Sequence, residues 1–172
     1  MHTRLIEPAD APALLEIYNP EIIETTVTFD LVAWDLDDAH RWIAEHEGAH
    51  AALVAIGDPG DEGPRGARDE VVLGYAAIGP YRSRPAYATT VENSLYVARS
   101  ARRGGVGRLL LNDLLRTAQA GGFHSVVARI VGETHASIQL HERCGFEHVG
   151  VEHEVGRKHG KWLDVVEMQI LL

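Results

Sequence analysis

The chain has 172 residues, 45% of them hydrophobic and 24% charged, with a formal net charge of -9 and ten histidines. That length supports a core without covalent staples, and the single cysteine, Cys144, excludes an intramolecular disulfide and four-cysteine zinc sites. The acidic balance argues against a phosphate-backbone binder, and no run approaches the ~18 apolar residues of a membrane span.

Met1 to Asp10 carries early charges and a proline, unlike a signal peptide. Thr3 to Ile6 predicts a short strand. Asp10 is expected to cap a first helix with the stripe Ala11, Leu14, Leu15 and Tyr18, which Asn19-Pro20 should stop. Asp35 and Asp38 predict an acidic capping box for a second helix carrying Leu36, Ala39 and Ile43. Ala51 to Ile56 and Val71 to Ile78 have strand length. Between them Gly57 to Glu70, rich in Gly, Asp, Pro and Arg, reads as an exposed, mobile hairpin loop.

Thr89 to Val97 is β-branched and aromatic and predicts a strand. After a glycine turn, Gly107, Leu110, Leu111, Leu114, Leu115 and Ala118 trace one face of a helix that Gly121-Gly122 ends. Ser125 to Val131 reads as a buried strand. A helix over Ala136 to Cys144 should end on a left-handed Gly145 with Phe146 packing back on it. Phe146 to Val151 and Trp162 to Leu171 predict two last strands. The order is β-α-α-β-β-β-α-β-α-β-β. Hairpins imply antiparallel pairs, and the β-α-β stretch from 89 to 131 implies one parallel crossover. The fold class is therefore mixed α/β: a mostly antiparallel sheet with helices on both faces, expected as one domain over residues 1–172.

Arg99, Arg102, Arg103 and Arg108 place four of the sixteen Lys and Arg residues within ten positions, which suggests a small anionic ligand. In Arg102-Arg103-Gly104-Gly105-Val106-Gly107-Arg108, between strand and helix, glycines leave N–H groups unobstructed and a helix N-terminus favours phosphate. The segment lacks the Lys-Ser/Thr of a Walker A loop and the glycine order of a dinucleotide fingerprint. A surface turn with solvated arginines is the bland alternative. No H-E-x-x-H is present, and His148, His153 and His159 match no trusted ligand spacing, so no metal is expected.

R-x-x-G-x-G at Arg102 to Gly107, after Leu95-Tyr96-Val97, resembles the pyrophosphate loop of the GNAT acetyltransferase superfamily. Glu16-Ile17-Tyr18-Asn19, Thr89 to Val97, Ser137 to Glu142 before Gly145-Phe146, and Gly156 to Asp164 resemble its phosphinothricin and methionine sulfone or sulfoximine N-acetyltransferase branch. The resemblance implies a GNAT-type fold, acetyl-CoA as co-substrate, a small-molecule amine acceptor and a homodimer, while the lone cysteine fits a cytoplasmic location and the charge and hydropathy argue for no nucleic acid and no membrane. It implies cofactor contacts from Leu95, Tyr96, Val97, the Arg102–Arg108 turn, Thr134 and Ser137; the branch usually has asparagine where this chain has Thr134. It implies Glu92 as catalytic base, His141 as proton donor to the departing sulfur, and acceptor contacts from Phe29, Arg82, Pro85, Ala86, Tyr87 and Glu92.

The residues alone leave alternatives. Glu92 could face solvent on a half-exposed strand, His141 could be a structural hydrogen-bonding residue, and Arg82 and Arg84 could be surface arginines or carboxylate partners. Acetylation of another amine (a polyamine, an aminoglycoside, a protein N-terminus) and non-catalytic sensing of CoA are the rival functions.

Overall fold

A computed structural model describes residues 1–58 and 60–172; Pro59, within the 57–70 loop, lies outside the described residues. The strands are β1 (His2–Leu5), β2 (Ala52–Ile56), β3 (Val72–Pro80), β4 (Thr90–Val97), β5 (Ser125–Val131), β6 (Glu147–Lys158) and β7 (Lys161–Leu171). The helices are α1 (Ala11–Glu24), α2 (Leu36–Glu45), α3 (Val106–Ala120) and α4 (His135–Arg143), in the order the sequence implied. The strands form one sheet, β1-β2-β3-β4-β5-β7-β6, with β4–β5 its parallel pair and the other neighbours antiparallel.

Apolar residues on both faces of the central strands explain why helices cover both sides. Leu53 and Ala55 of β2 pack on one side with Leu110, Leu111 and Leu114 of α3. Val54 and Ile56 face Leu14, Ile17 and Ile22 of α1 and Ile43 of α2. The Asp35–Asp38 capping box starts α2 as expected. Gly145, at φ +95°, ends α4, and Phe146 returns edge-on to His141, ring centroids 4.9 Å apart. Among the described residues no helix is long and apolar enough to cross a membrane.

Three local expectations are corrected. Asn19-Pro20 does not stop α1, which runs on to Glu24. An interior proline costs about 3 kcal/mol, but the added turn buries Ile22 and ion-pairs Glu21 with Arg99 and Arg102. The Asn19 amide instead bonds both backbone groups of Trp34. Asp10 stands at the N-cap of α1, but its side chain does not cap that helix; it closes the 3-10 turn before it by accepting from the Glu7 amide. Its fully buried carboxylate takes two bonds from Arg4 (2.8 and 2.9 Å) and accepts from the Ala67 and Glu7 amides. Burial pushes that carboxyl up, but Arg4 and the amides outweigh it and hold it below its usual range. The bond to Ala67 also anchors part of the 57–70 loop, where Ala67 is buried. Finally, β6 extends to Lys158 rather than ending at Val151, with register breaks at His148/Gly150 and Glu152/Gly156. It is an edge strand, exposed for most of its length, so no buried apolar run was there to announce it.

One feature of the sheet sets up the site. The parallel β4–β5 ladder holds only from Thr90↔Ser125 to Asn93↔Ala128, while the strands continue to Val97 and Val131. Past Asn93 the two part company and leave a cleft between them.

Candidate active site

The cleft opens into a groove of about 860 Å³, walled by β4, the turn into α3, the far end of β5, α4 and the Val27–Phe29 loop. It gathers Phe29, Glu92, Leu95, Tyr96, Val97, Arg102, Arg103, Gly105, Val106, Gly107, Arg108, Thr134, Ser137 and His141 from distant parts of the sequence. Gly104 sits in the same turn without lining the groove. Arg82, Pro85, Ala86 and Tyr87 lie apart, on the β3–β4 connection, where Arg82 and Tyr87 border a separate recess. The Arg82 guanidinium lies over the Tyr81 and Tyr87 rings at 4.8 and 5.6 Å. Tyr81 donates to Glu167 of β7 (3.0 Å), which ties this segment to strands near Glu92.

The turn is shaped for an anion. Arg103 (φ +66°) and Gly105 (φ +84°) both take left-handed backbone, turning the chain sharply into α3. No side chain caps α3, so its first N–H groups remain available at the positive end of the helix. A Cβ on Gly107 would come 3.0 Å from Leu140, so glycine there lets α3 sit close on α4. The arginines divide. Arg102 is committed to Glu21 (2.9 Å) and to the Val97 carbonyl (3.3 Å). Arg103 and Arg108 are exposed and form no ion pair among the described residues.

β4 presents two faces to the groove. Tyr96 packs against Tyr18 on the α1 side, ring centroids 4.7 Å apart, and alternation puts Glu92 and Ser94 on that side too. Glu92 is half-buried. Burial raises its pKa above the usual carboxylate range; Arg129 opposes, while Glu167 and Glu152 add to the rise. Beyond Asn93, the backbone groups of β4 that point toward β5 have lost their ladder partners, while those toward β3 stay paired as far as Val97↔Gly74. A ligand amide could take the missing partners' place.

On the other face, His141 is 3% exposed. Its Nδ1 lies 2.8 Å from the Ser137 carbonyl and its Nε2 lies 3.1 Å from Asn93 Nδ2. A carbonyl only accepts, so Nδ1 carries hydrogen. Burial holds the imidazole below its usual pKa despite that bond, so the ring is neutral and Nε2 accepts from the Asn93 amide. In this arrangement Nε2 has no proton to give.

Asn93, Glu21 and Arg129 line the groove although the sequence reading singled out none of them. Asn93 alone left a local trace: a polar side chain in phase with the buried Val91 on a strand. Glu21 and Arg129 act through pairing across the fold, which no spacing announces.

A family model described as an acetyltransferase (GNAT) domain matches residues 3–166. The chain is 38% identical over 158 residues to phosphinothricin N-acetyltransferase of Streptomyces coelicolor, covering 91% of this chain and 87% of the relative. It is 37% identical over 164 residues to the L-methionine sulfoximine/L-methionine sulfone acetyltransferase of Pseudomonas aeruginosa, covering 95% and 90%. The crystal structure of a GNAT superfamily phosphinothricin acetyltransferase from Sinorhizobium meliloti in complex with AcCoA superposes with a TM-score of 0.88 at 32% identity, over 99% of this chain and 87% of that one. The chain therefore belongs to the GNAT family and is an acetyl-CoA-dependent N-acetyltransferase.

Proposed function

We propose that this enzyme acetylates the amine of a small amino-acid-like acceptor of the phosphinothricin, methionine sulfone or methionine sulfoximine type. One observation carries the reading. Glu92, a half-buried carboxylate with a raised pKa, stands where β4 and β5 separate, in the same groove as the cationic entrance to α3.

The α3 amides with Arg103 and Arg108 hold the diphosphate of acetyl-CoA, and Arg102, braced by Glu21, fixes the turn. The open backbone of Leu95, Tyr96 and Val97 pairs with the pantetheine arm, with Thr134 and Ser137 on the facing wall. The thioester supplies the acetyl group. Glu92 receives the proton that the acceptor amine sheds as nitrogen attacks, directly or through water. The C–N bond forms, the C–S bond breaks, and backbone N–H groups near Val97 offset charge on the carbonyl oxygen. Because its Nε2 accepts from Asn93, His141 is better cast as the residue that orients Asn93 than as the acid for the departing sulfur. Phe29 borders the acceptor end, whereas Arg82, Pro85, Ala86 and Tyr87 stand outside the groove, Arg82 beside a separate recess and over the Tyr81 and Tyr87 rings, so they are given no part in holding the acceptor.

Assembly as a homodimer fits the exposed apolar residues Val149, Val151, Val155 and Trp162 of β6 and β7. Cytoplasmic residence fits a lone, unpaired Cys144. Sedimentation as a monomer at micromolar concentration would remove the dimer.

The test is thiol release from acetyl-CoA with phosphinothricin, methionine sulfone and methionine sulfoximine beside spermidine and a peptide. Turnover with the first three is expected, and turnover with the peptide alone would overturn the acceptor assignment. Stabilisation by acetyl-CoA without turnover of any amine would favour a CoA sensor.

A further inference from the structure

The Val27–Phe29 loop that borders the groove is gripped from outside by the end of the β6–β7 hairpin. Lys158, the last residue of β6, is 4% exposed, and its Nζ donates to the Thr28 carbonyl at 2.8 Å. An ammonium buried this far from water is costly and stays only where its bonds hold it. From inside, Tyr18 fixes the same loop, its hydroxyl 2.7 Å from Thr28 Oγ1 and donating to Asp30 at 2.8 Å. Residues 28 and 30 are thus pinned, while Phe29 between them keeps a partly exposed ring.

That ring rests on Gly156. A Cβ built there would clash with Cε2 and Cζ of Phe29, closer than non-bonded carbons can approach. Gly156 is also where β6 resumes pairing with β7 after its second register break. The bare backbone at 156 therefore makes room for the ring, and the Lys158 bond two residues on holds the loop against it.

We propose that Gly156 is a specificity-determining residue of the acetyl transfer, setting through Phe29 how wide the acceptor end of the groove stands. This rests on the reading of the groove beside Glu92 as the acceptor site. With its backbone pinned on both sides, Phe29 can answer an added methyl at 156 only by swinging its ring. The swing remodels the wall facing the acceptor and leaves the α3 entrance untouched.

The experiment is a double-mutant cycle of Gly156→Ala and Phe29→Ala, with KM measured for the acceptor and for acetyl-CoA. Gly156→Ala should raise the acceptor KM about tenfold, the scale of a misfitted methyl group in a pocket, and leave the acetyl-CoA KM unchanged. In the Phe29→Ala background the same change should be silent. An equal rise in both KM values, an unchanged acceptor KM, or an effect of the same size without Phe29 would each overturn the proposal. If wild-type enzyme acetylates none of the amino-acid analogues, the acceptor assignment fails instead, and the cycle is run on the amine that is acetylated. A crystal structure of Gly156→Ala gives a readout independent of turnover: the Phe29 ring must be displaced, and a ring left in place sinks the idea.

Discussion

Replacing Glu92 by Gln keeps the size and much of the hydrogen bonding of the side chain and removes its basicity. An α-amine with a pKa of about 8 is roughly one-tenth neutral at pH 7, so prior deprotonation accounts for about tenfold in rate. The proton shed during attack is the larger burden, and a positioned base contributes about 10²- to 10⁴-fold. The expected loss in kcat is therefore about 10²-fold or more, close to 3 kcal/mol of barrier. Burial, with Glu167 and Glu152 behind it, raises the Glu92 pKa above the ordinary carboxylate range. The base form is lost as pH falls through that raised value, so the wild-type kcat/KM profile should carry, besides the limb from the amine's own ionisation, a second acid limb above the usual carboxylate range, and only that second limb should be missing in Glu92→Gln. Raising the pH to 9 should restore at most about tenfold to the variant, since only the amine's own ionisation remains to be gained. Acetyl-CoA binding, measured by thermal shift, should be unchanged because residue 92 lies away from the turn proposed to hold the diphosphate. A variant that keeps more than about a third of the wild-type kcat at pH 7 would refute Glu92 as the base.

Arg103→Ala and Arg108→Ala should each raise the KM for acetyl-CoA about tenfold, the loss of one charge-assisted contact, and added salt should shrink the difference; an unchanged KM would put the diphosphate elsewhere. Asp10→Ala should destabilise the fold by about 3 kcal/mol in denaturant titration, toward the low end for a broken buried pair because Arg4 keeps Glu70 at 2.9 Å; a cost under 1 kcal/mol would contradict the buried network. His141 is held neutral by burial, its pKa lowered in the fold. The unfolded chain takes up a proton below about pH 6.5 that the fold refuses, so stability should fall as pH drops below that value. His141→Gln should flatten that slope, and an identical slope would mean other groups set it.

Much of the scaffold was legible because it rests on local rules. The apolar stripe of α3, the uninterrupted run of β5, the Asp35–Asp38 box and the left-handed Gly145 are each decided by a few neighbouring residues, and they stand where the sequence put them. The glycine turn was legible for the same reason, since backbone freedom and a helix start are properties of a short segment. Local rules failed where distant burial outweighed them. Pro20 was overridden by the packing of Ile22 and the pairing of Glu21, the Asp10 side chain turned from the α1 amides to Arg4, Glu7 and Ala67, and β6 ran past Val151 as an edge that needs little apolar sequence.

By itself, then, the sequence determined which segments are helix or strand and that residues 102 to 108 suit an anion, because propensity, periodicity and helix ends are near-neighbour effects. Tertiary structure decided that β4 and β5 separate after Asn93, that Glu92 stands half-buried just before that separation, and that His141 is locked as a hydrogen-bond acceptor. It also turned Arg102 inward to Glu21 and seated Phe29 on Gly156. Each of these depends on desolvation or contact between residues tens of positions apart, and only the folded chain brings them within reach of one another.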